Sequence, residues 1–131
     1  MKVMALDFGA ARTGVAVSDP TGVLARPLCI VERAGSETGL AEVAGLVRRE
    51  DAARVVVGLP LTMRGVRGEQ AAATERFVAA LRAAIDVPVV LYDERFTTDL
   101  ARRSEASAPV DALAAAHLLS DYLRWSSTTP A

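Results

Sequence analysis

VMALDFGAARTGVAVSDPTGVLARPLCIV, residues 3–31, decides the fold. Val3 to Leu6 is a short apolar run that stops at Asp7-Phe8-Gly9, the pattern of a buried strand entering a turn. Gly14 to Ser18 reads as a second strand, and Asp19-Pro20-Thr21-Gly22 is a turn signal. Val23 to Val31 continues as a third strand, which Pro27 makes edge-like. Tight turns join the three into an antiparallel meander, so the third strand runs parallel to the first.

Beyond this stretch the period changes. Leu40, Val43, Ala44 and Val47 recur at helical spacing with Glu42 and Arg49 on the other side. Val55 to Leu59 is a continuous, β-branched apolar run, as expected of a strand covered on both faces. Phe77, Leu81 and Ile85 mark a second helix, and Val87 to Tyr92 a fifth strand. Helical segments follow over Thr98 to Ser104 and Val110 to Arg124. Helical crossovers make strands four and five parallel to strand three, so strands one, three, four and five end at one edge. The expectation is an α/β fold with a five-stranded mixed sheet flanked by helices. Residues 1–125 should form one domain, and 126–131 a flexible, polar C-terminal tail.

Composition narrows the class. No apolar stretch approaches the ~18 residues of a membrane span, and Asp7 interrupts the N-terminal apolar run too early for a signal peptide. The single cysteine, Cys29, makes no internal disulfide, which suits a cytoplasmic protein. With one histidine, His117, the chain cannot build a zinc site. Net charge is −1, which counts mildly against nucleic acid; yet of fifteen basic residues all but Lys2 are arginine, the side chain suited to phosphate.

Ligands of open α/β sheets bind outside the carboxyl ends of the strands, and three unusual acids are expected there. Asp7 ends a buried strand, where an acid is costly unless a cation or hydrogen bond meets it; the bland reading is a turn acid satisfying amides. Asp93 and Glu94 end the last strand on opposite sides, so at most one faces Asp7. Asp111 opens the last helix. Its partners at i+4, i+7 and i+11 are Ala115, Leu118 and Tyr122, an apolar stripe that turns it inward, although Asp is also a common N-cap. Three converging carboxylates form a hard-oxygen site for Mg²⁺ or Mn²⁺, and two such ions ~4 Å apart suit in-line phosphoryl displacement. Pro60 to Glu69 (PLTMRGVRGE) reaches the same edge with Arg64 and Arg67, and lacks the ending of a P-loop. Arg12, between strands one and two, is also within reach of that edge. His117 reads as a packing or surface residue and Cys29 as a buried small hydrophobe. Trp125 reads as a packing or oligomer contact rather than a base-stacking platform.

Taken together, these residues resemble the YqgF (RuvX-like) family of Holliday junction resolvases and pre-16S rRNA processing nucleases. The likeness runs through Asp7-Phe8-Gly9, Arg12 to Asp19, Val57 to Leu61 with Met63, Gly65 and Gly68, Asp93 to Thr98, and Asp111 with Ala114, Ala115, Leu118, Leu119, Tyr122 and Leu123. It implies an RNase H-like fold and a metal-dependent nuclease. Asp7, Glu94 and Asp111 would be its catalytic, metal-binding acids, and Arg12, Arg64, Arg67 and Arg95 its substrate contacts. Branched DNA and precursor rRNA are the implied partners, with a homodimer expected if four-way junctions are cut. One departure is the short segment 104–110, which has neither the lysine nor the glycine usual in the family. Two other functions compete. A nucleotide-binding ATPase-like protein would need two such domains where 131 residues supply one. A non-catalytic RNA or ribosome-assembly binder would have little reason to keep an acid cluster that is destabilising without metal.

Overall fold

The computed structural model describes residues 1–60, 68–93 and 111–128. Five strands form one sheet: β1 (Val3–Asp7), β2 (Arg12–Ser18), β3 (Ala25–Glu32), β4 (Arg54–Leu59) and β5 (Val89–Asp93), in spatial order β3-β2-β1-β4-β5. The meander is antiparallel, and β4 pairs parallel to β1 and β5 parallel to β4. Strands one, three, four and five thus share a C-terminal edge, as the connection rules require. Three helices are described: α1 (Glu37–Arg49), α2 (Glu69–Ala84) and α3 (Asp111–Thr128). The expected helix at Thr98 to Ser104 lies outside the described residues.

Period-two alternation splits the strands between two cores. Met4, Leu6, Val15, Val55 and Val57 pack with α1 and α2 through Val43, Leu46, Phe77 and Leu81. Val3, Ala5, Ala16 and Val56 pack instead with Ala115, Leu118, Leu119 and Tyr122 of α3. β1 has Met4, Ala5 and Leu6 at 0% exposure. Full burial on both faces explains why its run is continuous rather than alternating.

Boundaries differ from the sequence reading where side chains redirect the backbone. β3 starts at Ala25, because the Asp19 carboxylate accepts the amides of Val23 and Leu24 at 2.8 Å each and withdraws them from the ladder. The Thr21 hydroxyl beside Asp19, then those two amides, hold this carboxyl well below the usual carboxylate range. Since the folded value is depressed, the contribution is complete above about pH 4 and fades as pH falls. Pro27 sits in the edge strand, where the β2–β3 register slips between Val15 and Ala16. At the other end α3 continues to Thr128, three residues into the expected tail. No helix breaker occurs before Pro130, and the Ser126 hydroxyl donates to the Leu123 carbonyl at 3.2 Å.

The Ser36 hydroxyl caps α1 by accepting the Gly39 amide at 3.0 Å. A Cβ on Gly39 would lie 2.0 Å from the Arg33 carbonyl oxygen, whereas one on Gly45, in the same helix, meets nothing within 4 Å. Opposite outcomes are expected for one chemical change. Gly39→Ala should destabilise by about 3 kcal/mol or more, since backbone cannot yield. Gly45→Ala should stabilise by about 0.5–1 kcal/mol. Denaturant midpoints of the two variants check both signs, and equal shifts would refute the packing of α1 on the Arg33 turn.

Candidate functional site

Asp7 is the last residue of β1 and half-buried. It alternates with Val3 and Ala5, which places it on the α3 face of the sheet. Its partner on β2 is Gly14. Leu6 pairs with Val57, so one further step in that register sets Gly58 level with Asp7, and Gly58 in turn pairs with Tyr92. The row across the sheet therefore reads Gly14, Asp7, Gly58, Tyr92. A carboxylate flanked by two glycines has no neighbouring side chain in its row to compete for whatever approaches it. Sequence reasoning missed this pair of glycines; the available signal was a glycine inside an otherwise β-branched run.

The turn behind Asp7 is held by several contacts. The Phe8 ring points to the opposite face and stacks on Phe77 at 4.5 Å and 17°. The Phe8 carbonyl accepts the Gln70 side-chain amide at 3.0 Å, which ties the turn to the first residues of α2. The fully buried Thr13 hydroxyl accepts the Gly9 amide at 3.4 Å. A Cβ on Gly9 would come within 2.5 Å of the Arg12 carbonyl oxygen, so the hairpin closes this tightly only with glycine there. The local sequence thus converts strand into turn within two residues and leaves Asp7 fixed at the exit.

The other expected site residues divide into three groups. Arg12 is exposed and opens β2; by alternation with Gly14 and Ala16 it shares the face and the edge of Asp7. Asp93 alternates with Val89 and Leu91 of the other core, which puts it on the face away from Asp7. Of the adjacent acids, then, Asp93 is excluded from Asp7's side. Asp111 is the first residue of α3, whose Ala115, Leu118 and Tyr122 are 0%, 2% and 5% exposed against the face that carries Asp7. The Asp111 side chain, and Glu94, Arg64, Arg67 and Arg95 entirely, lie outside the described residues. Among the described residues no three of His, Cys, Asp or Glu gather as metal ligands.

Two titratable groups are set aside by their surroundings. Cys29 packs against the α1–α2 core, and burial first, then the charge of Glu42, pushes its thiol up, so it stays protonated and unreactive. Burial likewise pushes the Tyr92 phenol up, with Asp121 adding to the effect. Tyr92 therefore enters the site row as a neutral aromatic. His117 is half-buried on α3, as a packing residue would be.

A family model described as RuvX, Holliday junction resolvase, matches residues 1–125. A protein of Roseiflexus sp. (strain RS-1) named "Putative pre-16S rRNA nuclease" is 42% identical over 131 residues, covering 93% of each chain. One of Moorella thermoacetica with the same name is 39% identical over 133 residues, covering 94% of each. Among solved structures, T. thermophilus RuvC in complex with Holliday junction substrate superposes with a TM-score of 0.64 at 22% identity, over 100% of this chain and 99% of that one. The fowlpox virus Holliday junction resolvase gives 0.57 at 14% identity, over 95% and 99%. At such identities the structural likeness speaks for the fold alone, and that fold is the RNase H-like one that the family resemblance implied.

The Asp7 turn yields a test that needs no substrate. Gly9→Ala must open the β1–β2 turn against the Arg12 backbone, at a cost of about 1–3 kcal/mol. A denaturant midpoint equal to wild type would mean that the turn does not hold Asp7 in the manner described.

Proposed function

This chain belongs to the RuvX family, and we propose that it is a metal-dependent nuclease that hydrolyses nucleic-acid phosphodiester bonds at the edge where Asp7 stands. The observation that carries this reading is the site row: a half-buried acid between Gly14 and Gly58, facing the helix that Asp111 opens. Glu94 follows β5 directly, and Asp93 before it belongs to the opposite face. Alternation therefore favours Glu94 as the third acid.

The donor chemistry fits a hard cation. Asp7, Glu94 and Asp111 offer carboxylate oxygens only, which suits Mg²⁺ or Mn²⁺. When bound, such ions activate a water and stabilise the leaving oxygen of an in-line displacement. The protein's own part is positioning. The pinned turn fixes Asp7, the glycines beside it add no side chain of their own to the row, and Arg12, with Arg64, Arg67 and Arg95, neutralises the substrate backbone. The relatives named for pre-16S rRNA and the matching family model described as Holliday junction resolvase support precursor rRNA and branched DNA as the substrate classes. Paired cuts on a four-way junction require two sites and hence a homodimer. No described helix is long and apolar enough to cross a membrane; action in the cytoplasm is part of the proposed reading.

Asp7→Asn, Glu94→Gln and Asp111→Asn should each reduce cleavage of these substrates by more than about 10²-fold while the fold is preserved. Wild-type rates from any one variant would remove that residue from the site. A second expectation is read by melting alone. Without metal the gathered carboxylates oppose folding, so Asp7→Asn in chelator should match wild type or exceed it by about 1 kcal/mol. Mn²⁺ at a hundred times its dissociation constant should stabilise wild type by about 2.7 kcal/mol and the variant by much less. If Asp7→Asn melts well below wild type in chelator and Mn²⁺ shifts neither protein, Asp7 is a structural turn acid.

A further inference from the structure

Sequence reading gave Trp125 a packing or oligomer role, and the structure shows the packing on one side of the ring only. Its indole meets the Tyr92 ring at 5.9 Å and 54°, and the Tyr122 ring at 5.9 Å and 43°. Those two tyrosines meet each other edge-on at 5.7 Å. Both are buried, at 7% and 5% exposure, yet Trp125 is 49% exposed. The ring is thus braced from inside and half open to solvent.

Two arginines belong to the polar surroundings of these rings. The Tyr122 hydroxyl accepts from Arg54 Nη1 at 2.8 Å, and Arg54 Nε is buried with no hydrogen-bond partner among the described residues. Arg124, next to Trp125, keeps its side chain 68% exposed while Nη2 donates to the buried Asp121 carboxylate at 3.3 Å. Arg124 therefore stands next to the exposed ring, and Arg54 lies behind it on the Tyr122 hydroxyl. An exposed aromatic held in place loses little conformational freedom on binding, and base stacking on it tolerates any base because every base has a π-face. Arginine beside such a ring supplies the matching contact for phosphate.

We propose that Trp125 is a stacking platform for an unpaired nucleobase of the substrate, with Arg124 meeting the adjoining phosphate. This rests on the nuclease reading and adds a substrate feature to it. Trp125 lies fourteen residues along α3 from Asp111, hence about 21 Å along the axis. That is roughly six steps of a duplex strand. The substrate class is then a nucleic acid with a single-stranded segment some distance from the bond that is cut. Unpaired DNA and RNA share this chemistry.

Trp125 is the only tryptophan, so its fluorescence reports on this ring alone. The full chain in chelator, where metal-dependent cleavage is off, is titrated with dye-labelled single-stranded DNA, single-stranded RNA of the same sequence, blunt duplex DNA and inorganic polyphosphate. Fluorescence and dye anisotropy are followed together. Both single strands should quench the indole in step with binding, the tighter one naming the preferred source; duplex should quench weakly and polyphosphate not at all. Trp125→Leu should weaken single-strand binding about tenfold, within the range for losing one stacked base, and Trp125→Phe less. Anisotropy that rises without quenching would overturn the platform and leave the nuclease reading intact, as would unchanged affinity in Trp125→Leu. A shift in sedimentation by Trp125→Leu with affinity intact would assign the ring to self-association instead. Binding of no nucleic acid at all would sink the nuclease reading as well.

Discussion

The parallel pairing of β1 with β4 in the middle of the sheet is the constraint on which the rest depends. It buries β1 on both faces and makes alternation decisive, because a one-residue slip would exchange every side chain between two dissimilar cores. Met4 and Leu6 are committed to α1 and α2, so Asp7 has only the α3 face left to it. The same pairing sets Gly58 beside Asp7 and, through β5, Tyr92 beyond. One register thus fixes the face, the height and the neighbours of the acid.

An acid at the end of a buried strand is costly unless a hydrogen bond or cation meets it, and the surrounding contacts hold its backbone in place. Phe8 anchors the turn in the opposite core, Gln70 ties its carbonyl to α2, and Thr13 satisfies the Gly9 amide. None of these contacts uses the Asp7 carboxylate itself. They fix its backbone through neighbouring residues.

Helix α3 links two ends of the molecule. Its apolar stripe covers the Asp7 face, its first residue is Asp111, and its last turns carry Tyr122, Arg124 and Trp125. The aromatic trio also meets Tyr92, which shares the row of Asp7. A change in how α3 seats would therefore act on both ends together, since one rigid element positions each.

Much of this was legible in the sequence. The runs Val3–Leu6 and Val55–Leu59, the turn at Asp19 to Gly22 and the helical spacing of Leu40 to Val47 suffice for strand order and direction, because tight turns and helical crossovers leave few topologies open. The stripe of Ala115, Leu118 and Tyr122 could likewise be read from spacing alone. Other features depend on contacts that no local pattern encodes. The start of β3 was set by where the Asp19 carboxylate finds amides, and the end of α3 by packing that carries the helix past Arg124. The glycine row around Asp7 joins residues from three strands, one of them about fifty residues away, and the open side of Trp125 depends on two tyrosines from different elements. Periodicity reports which side of one element is buried; which residues stand beside each other across elements follows from register and close packing, and these exist only in the folded chain.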